Sequence, residues 1–479
     1  MNLVKSGFRL TLARIVKFVL SFLAIVFFAN ELGASELGVF FLFQALLDIL
    51  RLPSNLGIRM AIEKRMSEGN IPEKSLTAGV LLKLFLIVIV VPILFTSSEF
   101  INDYLGLDLT FLLCLALILQ ESAGTARSVL RGELKLDQAA TLEVVFDVTW
   151  VVAAVVLVSF DFGAVGIIYG VILARFLQVL FGILKADTFF SLPSKHEFQS
   201  IIGYSKYSSV AQVSGRIQSW MDVLMIGFFL TQAAVGAYEV AWRVTGPILL
   251  VGSAVGTTIF PQMSSWQANK DISSIERLFT KSIIPIYVIV IPAIIGGLLL
   301  SDEILGIIFG SEFGQASIAL VILLIGLIPR AIREITGKTL LGLDLPNLAS
   351  RVAIIDIFLN VSLNLILIPR MGIVGAAIGT STALLISTSV QYHYVSRSIE
   401  VQLPVAELRW VTISSGIMGA VVYTIMSLVT VADEFTLAST ILCGVISYCS
   451  ILLYNDTVRQ NAVEFAKQIG LKSNSDSNI

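Results

Sequence analysis

The sequence predicts an all-α integral membrane protein of about fourteen transmembrane helices, and three observations support this fold class. Of the 479 residues, 56% are hydrophobic and only 14% are charged, whereas average soluble domains carry about 25% charged residues. Apolar runs of about 20 residues, enough for a helix to cross a hydrocarbon core about 30 Å thick, recur along almost the whole chain. The connections between these runs alternate between basic and acidic composition, as they do in proteins that cross a membrane many times.

The apolar runs define the candidate spans in order. They begin near residues 8, 36, 76, 105, 140, 163, 203, 233, 281, 315, 348, 372, 409 and 435. Because lipid offers the backbone no water, each run must satisfy its own hydrogen bonds, and runs this long and apolar favour helices over barrel strands. Arg14 and Lys17 interrupt the first run and no small-residue cleavage site precedes Glu31, which indicates a retained span rather than a signal peptide.

The charge of the connections predicts the orientation. Every second connection is rich in Lys and Arg, beginning with residues 58–75, whereas the alternate connections are acidic and carry Arg370 as their only basic residue. Basic connections stay in the cytoplasm. We therefore expect a multi-pass protein of the cell (cytoplasmic) membrane with both termini in the cytoplasm.

Two pairs of matching segments indicate an internal repeat. LGASELGVF (residues 32–40) matches LTQAAVGAY (230–238) at an offset of 198, and FGAVGIIYG (162–170) matches MGIVGAAIG (371–379) at an offset of 209. Short glycine-rich matches also arise by chance, but these two occur in the same order. A repeat of six helices returns the chain to its starting side, so the copies are parallel, as in some secondary transporters. We predict an N-lobe at 1–190 (spans 1–6), a C-lobe at 191–400 (spans 7–12), an appended helix pair at 401–455 and a cytoplasmic tail at 456–479.

Charged residues inside the spans predict a functional cavity. A charge at mid-bilayer costs about 2.5–3.5 kcal/mol on insertion scales, so such residues face a protein interior or water. The first, second, seventh and eighth spans, which open the two repeats, carry many of them at helical spacing. We predict that these spans line a net basic cavity at the lobe interface. The candidate phosphate ligands are Arg14, Lys17, Arg51, Arg216 and Arg243, and the candidate cavity or ion-coupling residues are Asp48, Lys206, Asp222 and Glu239.

Several of these charges have more than one interpretation. Glu239 and Arg243 are spaced for an i, i+4 ion pair, which either releases its arginine to an arriving phosphate or permanently fixes the eighth span to its neighbours. Asp147 and Asp356, related by the second offset, are either ion-coupling or structural carboxylates. We expect snorkelling or structural pairing for the remaining charges, which are Lys83, Glu121, Glu143, Arg175, Arg330, Arg333 and Glu334.

The cysteines and histidines suggest no further chemistry. Three cysteines within apolar runs give no disulfide framework, and two isolated histidines lack the spacing of metal ligands. We expect no metal, no cofactor, no catalytic residue and no nucleic-acid partner.

The chain resembles the Wzx-type polysaccharide and O-antigen flippases of the multidrug/oligosaccharidyl-lipid/polysaccharide (MOP) exporter superfamily. LGASELGVF, VGAYEVAWRV, IFPQMSS and, most specifically, NLILIPRMGIVGAAIGTSTA carry the resemblance, which covers residues 1–455. It implies a two-lobed, MATE-like transporter that turns a glycan linked to a polyprenyl phosphate or pyrophosphate from the cytoplasmic to the outer leaflet by alternating access. It also implies that Arg14, Arg51 and Arg243 surround the head-group phosphates.

Other function classes stay open on the sequence alone. A multidrug antiporter of the same superfamily favours acidic residues for organic cations, a membrane enzyme of glycan assembly needs a sizeable outer loop, and a purely structural protein needs no charged interior. The predicted partners are the lipid-linked glycan, membrane lipid, a coupling ion such as a proton or sodium, and enzymes of glycan assembly.

Overall fold

The computed structural model describes the backbone of residues 3–69, 71–402 and 404–454, and their side chains except those of 3–15, 207–215 and 249–258. These residues form α-helices and one 3₁₀ helix, Ser311–Ala316. The α-helices are α1 (Leu3–Asn55), α2 (Ile58–Ser67), α3 (Pro72–Thr96), α4 (Ser98–Leu105), α5 (Thr110–Gly132), α6 (Leu136–Ser159), α7 (Gly163–Lys185), α8 (Lys195–Phe229), α9 (Gln232–Val244), α10 (Gly246–Ala268), α11 (Ile272–Ile308), α12 (Ser317–Gly342), α13 (Pro346–Ser396), α14 (Val405–Leu428) and α15 (Glu434–Leu452).

The helices have the length and composition of membrane spans. Within the described ranges, nine are long and apolar enough to cross a bilayer, and a tenth results if the bent pair α4 and α5 counts as one span. The predicted all-α, multi-pass membrane class is therefore confirmed, whereas the count of about fourteen spans stays a prediction. Residues 58–67, which the sequence reading placed in a loop, form the short helix α2.

Glycines interrupt the two longest helices where the sequence predicts one span to end and the next to begin. α1 bends at Gly33 (φ 74°) and α13 bends at Gly372 (φ 61°). Gly163, at the start of α7, also has a positive φ of 56°. L-residues with a side chain avoid this conformation. Because Gly163 and Gly372 are equivalent in the predicted repeat, the second sequence match coincides with a positive φ at both positions.

The described residues pack into two compact units, one from Leu20–Glu239 and the other from residues 240–454 together with residues 3–19 at the start of α1. In the 20–239 unit, α2 packs against α3, α5 and α8. The buried core of this region consists of Ile58, Ala61, Ile62, Met66, Leu76, Ala78, Val129 and Ile201. Each of these side chains leaves water on folding, so α2 is fixed by apolar contact on one face.

A close crossing of two helices lies within the same unit. A methyl group on Gly38 would overlap the carbonyl oxygen of Gln232, and one on Gly236 would overlap that of Ala34. Each added carbon would also lie 3.1 Å from the backbone nitrogen of the other glycine. The first sequence match, which pairs Gly38 with Gly236, therefore corresponds to a backbone contact that only glycine permits.

The connection from α7 to α8 is held by ion pairs and backbone hydrogen bonds. Oε1 of Glu133 accepts from the backbone nitrogens of Asp187 (2.9 Å) and Thr188 (2.7 Å), and Nζ of Lys135 contacts Asp187 (2.6 Å) and Glu133 (2.8 Å). Burial raises the pKa of the Glu133 carboxyl, but hydrogen bonds from Lys135 and Thr188 more than offset it and hold the pKa below its ordinary value.

The 240–454 unit is built around α11, α12 and α13. The hydroxyl of Tyr448 on α15 donates to the carbonyl of Val288 on α11 at 2.7 Å, so the last helix packs against α11. The connection from α13 to α14 is held by Glu276, whose Oε1 accepts from the backbone nitrogen of Glu400 at 2.7 Å. A single carboxylate on a neighbouring segment thus binds the backbone of a connection in each unit.

Candidate functional site

An ion-pair network lies inside the 20–239 unit and joins four helices. Asp48 and Arg51 lie one turn apart on α1, Lys83 lies on α3, Glu121 lies on α5 and Arg216 lies on α8. Charged side chains within apolar helices are stable when they pair with one another, so the network accounts for charges that would otherwise be costly inside these helices.

Asp48 accepts hydrogen bonds from the guanidinium groups of two different helices. Its Oδ1 accepts from Nη1 of Arg51 at 3.0 Å and from Nη1 of Arg216 at 2.8 Å. The same oxygen accepts from Nε2 of Gln120 at 3.3 Å. The exposed fractions of the side chains are 14% for Asp48, 14% for Arg51 and 29% for Arg216, so the pairs are only partly shielded from solvent.

The other oxygen of Asp48 is bound by two neutral donors. Its Oδ2 accepts from the indole Nε1 of Trp220 at 3.1 Å and from Nε2 of Gln44 at 3.5 Å. Five donors from three helices therefore converge on one carboxylate. We call this group the Asp48 cluster, and its members are Gln44, Asp48, Arg51, Gln120, Arg216 and Trp220.

Arg51 is also held by a second carboxylate, that of Glu121. Its Nε donates to Oε1 of Glu121 at 3.2 Å, while Nζ of Lys83 contacts Oε2 of Glu121 at 2.7 Å. Nζ of Lys83 also donates to the carbonyl of Glu121 (2.8 Å) and to Oγ1 of Thr125 (2.7 Å). With side chains 4% and 3% exposed, Lys83 and Glu121 form a buried pair. This pair fixes the Glu121 carboxylate, which in turn orients the guanidinium of Arg51.

The structure adds arginines that the sequence reading did not assign to the site. Arg59 at the start of α2, Arg127 on α5 and Arg175 on α7 each interact electrostatically with Arg51. Arg127 pairs with Glu143 at 2.7 Å. Arg59 lies in the segment 58–75 that the sequence predicts to be a cytoplasmic connection.

A signal for part of this missed set is present in the sequence. Gln120, Glu121, Gly124, Arg127 and Ser128 recur at helical spacing, so they form one polar stripe along α5. Such a stripe in an otherwise apolar run predicts a face directed at the protein interior. Lys83 and Glu121, for which we expected snorkelling or structural pairing, do pair with each other.

The predicted site residues have different surroundings. Asp48, Arg51 and Arg216 come together in the Asp48 cluster. Lys17 and Lys206 are exposed, Arg243 is half-buried and Glu239 is buried. Asp222 accepts from the hydroxyl of Tyr238 at 2.9 Å. Arg14 lies outside the residues whose side chains are described. Arg243 belongs to the 240–454 unit, and so does Lys17, because the start of α1 packs with that unit. The other predicted site residues whose side chains are described belong to the 20–239 unit.

A second polar network lies in the 240–454 unit, between α12 and the two halves of α13. Nη1 of Arg333 contacts Oδ2 of Asp356 at 2.7 Å, and Oγ of Ser387 donates to Oδ1 of Asp356 at 2.7 Å. Oγ1 of Thr336 donates to Oε1 of Gln391 at 2.8 Å. The structural pairing expected for Arg333 is therefore present. Its partner is Asp356, for which the sequence predicted either an ion-coupling or a structural role.

The charges of the first network suit an anionic ligand. Arg51, Arg216 and Lys83 contribute three positive charges, and Asp48 and Glu121 contribute two negative charges, which leaves one positive charge in excess. Guanidinium groups bind carboxylate and phosphate oxygens with paired hydrogen bonds. In the described part of the chain, no group of His, Cys, Asp and Glu side chains is arranged to hold a metal ion.

The helical fold and the buried ion-pair network together define a polytopic membrane protein with charged groups in its interior. Two solved structures superpose on the chain. The lipid II flippase MurJ in an inward closed conformation gives a TM-score of 0.77 at 18% identity and covers 93% of this chain and 98% of its own. An inward-facing multidrug resistance MATE family transporter of the MOP superfamily gives 0.61 at 18% identity and covers 80% and 94%. These similarities confirm the predicted MOP-like fold class.

The sequence comparisons then give the family. Residues 3–318 match the family model of polysaccharide biosynthesis proteins. The chain is also 42% identical, over 462 residues, to the protein named "Probable low-salt glycan biosynthesis flippase Agl15" of Haloferax volcanii, which covers 96% of this chain and 98% of that protein. The chain belongs to the polysaccharide biosynthesis protein family, as the resemblance predicted. The relative and the two structures named here are flippases or transporters and not enzymes, which agrees with the prediction that the chain is not an enzyme.

Proposed function

We propose that this protein is a flippase that moves a glycan, joined to a polyprenyl carrier by a phosphate or pyrophosphate, from the cytoplasmic to the outer leaflet of the cell membrane. The Asp48 cluster is the observation that carries the proposal, because two arginines from different helices converge there in the interior of a membrane protein. A phosphate and its glycan pay a large desolvation penalty in bare hydrocarbon, and a polar interior removes most of that penalty.

In this proposal the basic residues bind the head group and the lobes move. Arg51 and Arg216 bind the substrate phosphate, and Arg14, Lys17 and Arg243 are further phosphate ligands reached during the transport cycle. Lobes at 1–190 and 191–400 rock to give alternating access, with 401–455 appended and both termini in the cytoplasm. Asp48, Lys206, Asp222 and Glu239 line the route or take part in coupling to a proton or sodium ion, and enzymes of glycan assembly supply the substrate.

The charge of the network favours this function over the multidrug antiporter. A site for organic cations gains from an excess of carboxylates, whereas the network around Asp48 holds an excess of positive charge. The names of the Haloferax relative and of MurJ, both flippases, support the same choice.

A flipping assay with matched arginine variants tests the proposal. The full chain is reconstituted in liposomes with a polyprenyl phosphate-linked glycan in one leaflet, and transfer to the other leaflet is measured for both starting leaflets. Arg51→Gln and Arg216→Gln each remove hydrogen bonds to a charged ligand, so we expect transfer to fall by about tenfold to a hundredfold.

The control is Arg370→Gln, which removes an exposed arginine whose Nη1 donates only at 3.3 Å to the carbonyl of Ile366 on its own helix. It should transfer substrate at the wild-type rate. Normal transfer by both Arg51→Gln and Arg216→Gln, at wild-type protein levels, contradicts the proposal.

A further inference from the structure

The carboxylate of Asp48 occupies the position at which an anionic ligand would meet the donors of the Asp48 cluster. Two guanidinium groups, one indole N–H and two amide nitrogens point to its two oxygens, at distances from 2.8 to 3.5 Å. These donor types also bind phosphate oxygens, since each offers N–H groups and the two arginines add positive charge.

The donors do not all depend on Asp48 for their orientation. Nε of Arg51 is held by Glu121, and Glu121 is held by the buried Lys83. The guanidinium of Arg51 therefore keeps its direction when another anion replaces the carboxylate. Arg216 is the most exposed of the charged members, at 29%, so it is the donor that an entering ligand can reach first.

We propose that Asp48 is an internal competitor for the phosphate of the substrate. In the empty protein Asp48 holds Arg51, Arg216 and Trp220 in the arrangement that binds an anion, and the entering phosphate displaces the carboxylate and takes over the same donors. The inference rests on the proposed function and deepens it by adding Gln44, Gln120 and Trp220 as neutral donors to the phosphate. It also provides a route for release, because the returning carboxylate competes with the bound phosphate.

Competition between Asp48 and the phosphate determines how much the apparent affinity for the ligand should change when Asp48 is removed. When the competitor fills the site in about nine of ten molecules, the apparent affinity for ligand is about tenfold lower than the affinity of the vacant site. A tenfold change corresponds to about 1.4 kcal/mol. Removing the competitor should recover this factor, and because affinity differences reside mainly in dissociation rates, it should slow release of the ligand.

The experiment measures binding of farnesyl phosphate, a short polyprenyl phosphate, to the purified full chain by calorimetry. Asp48→Asn and Asp48→Ser both remove the carboxylate with different side-chain shapes, so one serves if the other fails to fold. Each should lower the dissociation constant for farnesyl phosphate by about tenfold. The matched control is Glu68→Gln, which removes a carboxylate of the same unit that pairs with Arg65 at 2.8 Å, outside the Asp48 cluster. It should change the constant by less than about twofold.

Transport by the same variants separates competition from a structural role. If Asp48 competes with the phosphate, its removal lowers both the apparent KM and the maximal rate, because ligand binds more tightly and leaves more slowly. A carboxylate that only ordered the arginines would, on removal, raise the KM. Unchanged or weaker binding of farnesyl phosphate by the Asp48 variants overturns the inference.

The arginine variants show which of the two proposals has failed. Loss of farnesyl phosphate binding in Arg51→Gln and Arg216→Gln, together with weaker binding in Asp48→Asn, leaves the proposed function standing and removes Asp48 as competitor. Unchanged binding in both arginine variants removes the phosphate site itself, and the inference about Asp48 with it.

Discussion

Both units of the molecule contain charged side chains inside apolar helices, but the carboxylates in the two units are neutralised by different sets of donors. In the 20–239 unit the carboxylate of Asp48 accepts from two arginines and three neutral donors, and Arg216 is 29% exposed. In the 240–454 unit Asp356 accepts from Arg333 and from the hydroxyl of Ser387, and the side chains of Arg333 and Asp356 are 18% and 4% exposed. The first network has an excess of positive charge and the more exposed carboxylate, whereas the carboxylate of the second is almost fully buried.

This difference separates two uses of a buried charge. A balanced, enclosed pair contributes to the position of its helices, and disrupting it is costly because one charge is left unpaired. A group with surplus cations and partial exposure can exchange its internal anion for an external one. Burial of a charge is therefore not enough to identify a binding site, and the ratio of donors to acceptors is the more informative quantity.

The largest expected effect concerns the pair that supports the first network. Lys83→Met removes the cation that contacts Oε2 of Glu121 and leaves this buried carboxylate with Arg51 alone. Removing one partner of a buried ion pair costs up to about 3–5 kcal/mol. We expect a large fall in thermal stability and yield of the purified protein. The double variant Lys83→Met/Glu121→Gln should recover most of the loss, since no unpaired charge then remains. Wild-type stability of the single variant would show that the pair does not support Arg51.

Asp356→Asn sharpens the contrast between the two networks. It weakens the hydrogen bonds from Arg333 and Ser387, so we expect a stability loss of about 2 kcal/mol with unchanged binding of farnesyl phosphate. Arg216→Gln should show the reverse, a clear loss of binding with a smaller loss of stability. Thermal melting and calorimetry on the same samples check both. Loss of ligand binding in Asp356→Asn would contradict the structural role given to the second network.

The positive φ at both repeat glycines predicts matched effects in the two units. Gly163→Ala and Gly372→Ala each force alanine into a positive φ, at a cost of about 1–2 kcal/mol. Gly203→Ala in α8, where an added methyl group meets no atom within 4 Å, should be neutral or slightly stabilising. Melting temperatures of the three variants check this. A large effect at only one of the two repeat positions would contradict their equivalence.

The smallest effects concern the two connections held by carboxylates. Glu133→Gln and Glu276→Gln each weaken hydrogen bonds to a connecting segment, and we expect melting temperatures to fall by about 2 °C. Because the pKa of Glu133 is lowered in the folded protein, its contribution is complete above its ordinary pKa of about 4.3 and is lost as the pH falls below that value. The difference between wild type and Glu133→Gln should therefore shrink below about pH 4, and a difference that grows there would contradict the assigned hydrogen bonds.

Much of the fold follows from local properties of the sequence. Long apolar runs predict helices because each run must satisfy its backbone alone, and the breaks at Gly163 and Gly372 coincide with the matched segments. The short helix α2 was missed because half of its sequence, IRMAIEKRMS, is polar or charged, so it lacks the length and apolarity of a span. Its helical state depends on contact with α3, α5 and α8, which is tertiary information.

The site was predicted less completely than the fold. Helical spacing placed Asp48 and Arg51 on one face of one helix, and their interaction is local. Glu121 contacts Arg51 across 70 residues of sequence, and Trp220 reaches Asp48 across 172. No local spacing relates such residues, so their contacts depend on how the helices pack. Nothing in the sequence around Trp220 indicates that its indole N–H donates a hydrogen bond to a carboxylate.

The crossing at Gly38 and Gly236 has a consequence for mutational tolerance. Alanine differs little from glycine in hydropathy and is the better helix former, so a substitution score based on either property would rate both positions as permissive. The helices nevertheless approach so closely that one methyl group has no room. In a saturation screen of this chain, these two positions should reject every other amino acid while the apolar positions around them accept many, and double replacements should be no better tolerated than single ones.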